Sequence, residues 1–162
     1  MLVLSGFGSA VIAQKNETWE KWNWLIGDWT GEGSGSPGQG SGWFSLLPDL
    51  DNKILVRKNH SEYPATKDKP QVIHDDLMIV YRNIEDGRNK AVYFDNEGHV
   101  INYTASFSGN SIILTSDNIP NFPVFRLTYD SLDIENINVK FEMSRDGVNF
   151  LTYTEGICRR IK

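Results

Sequence analysis

Three histidines, His60, His74 and His99, are the side chains of this chain best suited to proton or metal chemistry. Imidazole titrates near neutral pH and ligates metals readily. His74 runs directly into Asp75 and Asp76, and imidazole with carboxylate is a standard donor set. The spacing of the three histidines matches no metal motif, and Asp75-Asp76 reads more simply as a turn entering a strand, so no metal is expected. His60 lies between Lys58 and Glu62, as on a solvated face, whereas Arg57, Asn59 and Tyr63 occupy the alternate positions and could form a polar lining. A buried Arg57 needs a partner. An anionic ligand is one candidate, and a structural acid such as Asp28 or Glu155 is another. His99 has two readings: an inward donor to a ligand, or a turn histidine half in solvent beside Gly98.

Nucleophilic chemistry has less to work with. Serine, histidine and aspartate all occur, but the chain has no Gly-x-Ser-x-Gly elbow. Cys158 is the sole cysteine. The neighbouring Arg159 could lower its pKa, yet a small apolar filler near the end of a strand is the simpler reading. The carboxylates Glu85-Asp86 and Asp133/Glu135 fall in expected turns and read as solubilising charge. Together these residues point away from catalysis and toward binding.

Bulk composition narrows the classes further. The chain has 162 residues, 40% hydrophobic and 23% charged, which suits one globular domain. Its net charge of −5 gives a nucleic-acid partner no electrostatic footing. One cysteine rules out an intrachain disulfide and a cysteine-rich zinc site. Residues 1–13 are apolar and end in small residues at Ala10 and Ala13, as a secretory leader does before cleavage. They lack a basic start, so the leader's own beginning is expected upstream. The alternatives are an N-terminal strand or an apolar tail. The run is too short for a transmembrane segment, which needs ~20 residues. Export, to the periplasm or the medium, is the expected localisation, and residues 14–162 form the expected domain.

The elements that must position these side chains are mostly strands. Trp19, Trp22 and Leu25 or Ile26 stand at helical spacing behind Thr18, which predicts a short helix over 15–24. A strand follows from Asp28 to about Gly35. From Trp43 onward the period is two. Strands are expected over 42–47, 53–63, 76–83, 90–94, 99–107, 111–116, 124–129, 136–144 and 150–160, with Gly, Asp, Asn and Pro between them. Ile137, Val139, Phe141 and Met143 alternate with Asn138, Lys140, Glu142 and Ser144, so one face is wet and one covered. Hairpin-length links join roughly nine or ten such strands, which predicts an all-β, single antiparallel meander barrel. No internal repeat or phosphate-binding glycine loop is visible.

Leu25-Ile26-Gly27-Asp28-Trp29-Thr30-Gly31-Glu32-Gly33-Ser34-Gly35 carries a resemblance. A short helix followed by Gly-x-Trp on the first strand of a meander resembles the calycin superfamily of lipocalins, fatty-acid-binding proteins and bacterial relatives. The recurring glycines are similar to the nitrobindin-type branch. The resemblance implies a calycin-like barrel that binds a small apolar molecule. It also implies a structural set: Gly27, Trp29, Gly31 and Gly33 on the first strand, with Arg159 or Arg160 from the last strand covering the Trp29 ring. Nitrobindin-type proteins hold haem through a histidine on a strand near the C-terminus. No histidine follows His99 here, so haem lacks its usual ligand and no cofactor is expected.

The expected function is non-covalent binding of a small, mostly apolar ligand in a lipocalin-like barrel. Strand parity selects Arg57, Tyr81, Tyr93, His99, Tyr103, Phe107, Tyr129, Phe141 and Met143 as the lining. A one-residue register error inverts such a choice. The competing readings are a packed barrel acting as a structural or interaction module, and an enzyme of the haem-bearing kind.

Overall fold

The structure, a computed structural model, describes residues 17–31 and 40–162. The expected leader 1–13 and Gly33 lie outside the described residues. Ten antiparallel strands form one closed barrel: β1 (Gly27–Gly31), β2 (Ser41–Asp49), β3 (Ile54–Tyr63), β4 (Val72–Arg82), β5 (Asn89–Asp95), β6 (Val100–Ser108), β7 (Ser111–Ser116), β8 (Val124–Ser131), β9 (Asn136–Ser144) and β10 (Leu151–Arg160). Each pairs with its neighbours in sequence, and β10 closes the ring on β1. This is the expected all-β meander barrel, and it is compatible with a calycin-like fold. Among the described residues no helix is long and apolar enough to cross a membrane.

The expected N-terminal helix is a 3-10 turn, Glu17–Trp22, kinked at Trp19. In 3-10 geometry residues three apart eclipse. Trp19 and Trp22 therefore fall on one side, and both are fully buried across one end of the barrel. Trp22 meets Phe107 edge to face, with ring centres 5.9 Å apart. The Trp19 indole donates to the carbonyl of Asn52 at 2.9 Å. Asn52 ends a run of three left-handed residues, Leu50, Asp51 and Asn52, that turns β2 into β3. Tertiary packing, and not helix propensity, places this segment.

Trp29 completes the closed end. It is fully buried, and its indole donates to the Leu25 carbonyl at 2.9 Å. The Arg160 guanidinium lies 4.2 Å from the centre of the Trp29 ring and donates to the carbonyls of Ile26 (2.8 Å) and Trp24. Arg160 is thus the arginine that covers the tryptophan. Arg159 pairs with Thr30 on the other face and is exposed. Gly27 has φ +138, and a Cβ there would stand 2.5 Å from Arg160 Nη1. Only glycine accommodates both the dihedral and the approach of the guanidinium. Gly31 packs against Cys158, whose Sγ would lie 3.2 Å from an added Cβ.

From the closed end upward, Phe44, Leu46, Leu55, Met78, Val80, Ala91, Ile112, Leu114, Leu127 and Ile137 fill the lumen. The other end is the mouth, where β2, β4, β6, β8 and β10 begin. β4 starts at Val72, four residues before the expected boundary, so Asp75 and Asp76 are strand residues and form no turn.

Candidate functional site

The register brings a polar wall together at the mouth. Asn59 stands opposite Asp76, and Asp76 opposite Asp95, so one rung carries all three across β3, β4 and β5. Residues directly opposite in a sheet share a face. That face is the inward one, because Met78 and Val80 on the same parity of β4 are fully buried. Arg57 sits one step deeper and is 6% exposed. Its guanidinium ion-pairs with Asp76 and donates to Asn59 Oδ1 at 3.0 Å, and Asn59 in turn donates to Ser61 at 3.1 Å. Asp76, and neither Asp28 nor Glu155, is therefore the partner of Arg57. Asp28 is exposed, and Glu155 accepts a bond from Asn138 at 2.8 Å.

The wall continues to the rim. His74 Nε2 lies 3.6 Å from Asp76 Oδ2 and 2.9 Å from the Tyr93 hydroxyl. Tyr93 donates to Asp95 at 3.3 Å, and His99 Nδ1 bonds the same Asp95 carboxylate at 2.8 Å. A connected chain of polar groups thus runs from the floor of the mouth, at Arg57, to its rim, at His99. His99 precedes β6 and its side chain is 62% exposed, so it is the turn histidine of the two readings.

Burial and charge set the protonation of this chain. Burial opposes the Arg57 charge, but Asp76, joined by smaller contributions from Tyr129, Tyr93 and Cys158, holds the guanidinium above its usual pKa. Burial also drives the phenols of Tyr93 and Tyr103 well up and pushes Tyr129 up to about 12. All three are neutral hydrogen-bonding groups at physiological pH. Burial works to raise the Asp95 carboxyl, yet the backbone and imidazole of His99 hold it below the usual range. His74 is raised by its contact with Asp76, against burial, with Glu97 and Asp95 adding to the effect.

His74 gives a pH-dependent stability of defined sign. Its folded pKa lies above its ordinary value, so its contribution is full below about pH 6.5 and is lost as pH rises through the folded value. We expect a melting temperature a few degrees higher at about pH 6 than at about pH 8.5. The difference should shrink in His74→Gln, leaving a remainder from His60, which Asp75 and Glu62 also raise. An unchanged difference in His74→Gln removes His74 from this account.

The opposite wall is apolar. In a ring of ten strands β9 stands across from β4. Phe125 pairs with Met143, and Leu127 with Phe141. Phe125 and Phe141 stack with ring centres 5.7 Å apart, and Tyr153, the extra residue of a β-bulge on β10, meets Phe141 edge to face at 6.1 Å. Gly156 shares the rung of Tyr129 and Val139, and a Cβ added there would meet no described residue within 4 Å. Exposed Phe122, Val148, Leu151 and Tyr153 border this side of the mouth.

No protein-family model matches this chain, and no curated protein matches it either.

The expected lining residues divide by position. Arg57, Tyr93 and His99 belong to the polar wall, and Phe141 and Met143 to the apolar wall. Tyr103 and Tyr129 are buried beneath them, Tyr103 edge to face with Tyr93 at 6.5 Å. Phe107 is at the closed end, where it also borders an outer groove of about 530 Å³ with Lys21, Trp24, Asn110, Ser111 and Ser131. Tyr81 does not face inward. It pairs with Ile54 and Lys90 on the outer surface. Both faces of β4 are apolar, Met78 and Val80 inside and Leu77, Ile79 and Tyr81 outside, so alternation cannot orient this strand.

Asn59 was read with Arg57 as a possible polar lining, whereas Ser61, His74, Asp76 and Asp95 are candidate site residues that parity reasoning missed. The signal for Asp95 was its place two residues after Tyr93 on one strand face. The three histidines do not converge: His60 faces outward with Asp75 at 2.6 Å, while His74 faces the lumen. Among the described residues no three groups of metal-ligating type come together. The inward residues of β8 to β10 include no imidazole, which does not fit an axial haem ligand in that region.

Proposed function

We propose that this protein is a lipocalin-like binder that holds a small, mostly apolar molecule non-covalently at the open mouth of its barrel. The observation that carries the proposal is the asymmetry of the mouth. Stacked Phe125 and Phe141 face a connected polar wall from Arg57 to His99. Binding sites for small molecules are mostly apolar with a few placed polar groups. Exposed aromatic and aliphatic side chains at the entrance are hard to explain as part of a core, because no described residue covers them. The resemblance to calycins supports the same reading. Export after a leader ending at Ala13 is part of the proposal and rests on the sequence alone.

Native mass spectrometry of protein purified from its host, together with titration of an apolar fluorescent probe, tests it. The expected result is stoichiometric probe uptake that Phe141→Ala weakens about tenfold, or 1.4 kcal/mol, without lowering cooperative unfolding. A Soret band in the purified protein points instead to haem. Clean protein that takes up no probe sinks the proposal and favours the packed module. That second reading has its own support in the fully buried tryptophans and aliphatics that fill the closed half of the lumen.

A further inference from the structure

We propose that the head group accepted at the floor of this mouth is an uncharged hydrogen-bonding group, a hydroxyl or an amide, and not a carboxylate. The inference rests on the binding reading above and specifies its ligand class. Among the described residues, Arg57 is the only lysine or arginine on the inward strand positions at the mouth. Its charge is already matched by Asp76, with side-chain exposures of 7% and 5% for the pair. Asp95 adds a second inward carboxylate, 4% exposed. Two carboxylates, Asp76 and Asp95, therefore face one guanidinium. Glu97 at the rim adds negative charge 3.4 Å from His74. Tyr93, Tyr103, Tyr129 and Cys158 stay protonated, since burial raises all four. A ligand carboxylate would enter as a further anion in a low-dielectric site and would have to compete with Asp76 for Arg57.

An uncharged oxygen meets no such opposition, and the floor has unused donors for it. Arg57 Nε and the Tyr129 hydroxyl are both buried and hydrogen-bonded to none of the described residues. The two are linked through one ring: the guanidinium lies 5.0 Å from the centre of Phe44, and Tyr129 packs on that same ring at 5.9 Å. A buried orphan donor is costly, and a single acceptor oxygen would satisfy it. The apolar part of the ligand would then lie along Phe125 and Phe141, across from the polar wall.

Displacement of a bound apolar probe by decan-1-ol, decanoate and decylammonium at about pH 8.5, above the ordinary imidazole range, tests the assignment. We expect decan-1-ol to displace at concentrations at least about tenfold below decanoate and below decylammonium. In Asp76→Asn, which releases the Arg57 charge, the preference should move toward decanoate by about tenfold or more. Simple apolar partition would not respond to that substitution. Should Asp76→Asn fail to fold, Asp95→Asn is expected to move the preference in the same direction by a smaller factor. Decanoate binding the wild type as well as decan-1-ol, a preference unmoved in the folded variants, or decylammonium binding most tightly each overturns the assignment. Displacement by none of the three, with no probe uptake at all, instead defeats the binding reading on which it rests.

Discussion

Asp76→Ala is expected to destabilise the fold by about 3–5 kcal/mol, because it strands the Arg57 guanidinium in the barrel without its counter-charge. Arg57 has few alternatives: Asn59 takes one guanidinium nitrogen, and Phe44 supplies a ring face at 5.0 Å. The fall should appear as a lower midpoint of urea unfolding with an unchanged slope. The double variant Arg57→Met/Asp76→Leu should recover most of the loss. Removing both charges also removes the desolvation that the pair suffers on folding, and well-packed apolar replacements of buried pairs are often neutral or stabilising. The comparison bears on function. A pair that an apolar substitute can replace in stability, yet that stands at the floor of the mouth, would support the binding reading. A double variant as unstable as Asp76→Ala would make the pair a packing element and weaken the binding reading.

Trp29→Ala is expected to be comparably severe, about 3–5 kcal/mol for a fully buried aromatic. In a chain of this length that is on the order of 10 °C in melting temperature. The loss has several sources. The cavity opens at the point where β10 closes the ring on β1, beside Phe44, whose ring stacks on Trp29 at 6.2 Å. The Leu25 carbonyl loses its indole donor. Arg160 loses the ring beneath its guanidinium while it still holds the carbonyls of Ile26 and Trp24. Trp29→Phe keeps a ring for Arg160 and should lose clearly less. Thermal melts of the two variants check this ordering, and equal losses would show that the stack on Arg160 adds nothing beyond filled volume.

The architecture was legible because its determinants are local. Alternation over Ile137 to Ser144 needs only a sheet with one wet face. Gly87, Gly98, Gly109 and Gly147 all take positive φ at hairpin turns where glycine was expected. Trp29 and Arg160 were legible through the resemblance, although choosing Arg160 over Arg159 needed the register, which puts Arg159 on the opposite face. Tyr81 was misplaced because β4 is apolar on both faces, and a strand whose two faces look alike carries no orientation in its own residues. Asp76 was mistaken for a turn residue for a related reason: two adjacent carboxylates after His74 resemble solvated charge unless a guanidinium 19 residues earlier is known to lie against one of them.

The sequence by itself determined the class of fold, the ends of most strands and the tryptophan-rich plug, since hydrophobic period, turn chemistry and residue volume act over short stretches of chain. Only the tertiary structure decided the site. Closing ten strands into a ring sets Phe125 and Phe141 across from Asp76, and it brings His74, Tyr93, Asp95 and Arg57 into one connected wall. Which charges cancel and which donors are left over depends on register and burial, and both are properties of the closed barrel that no single strand carries.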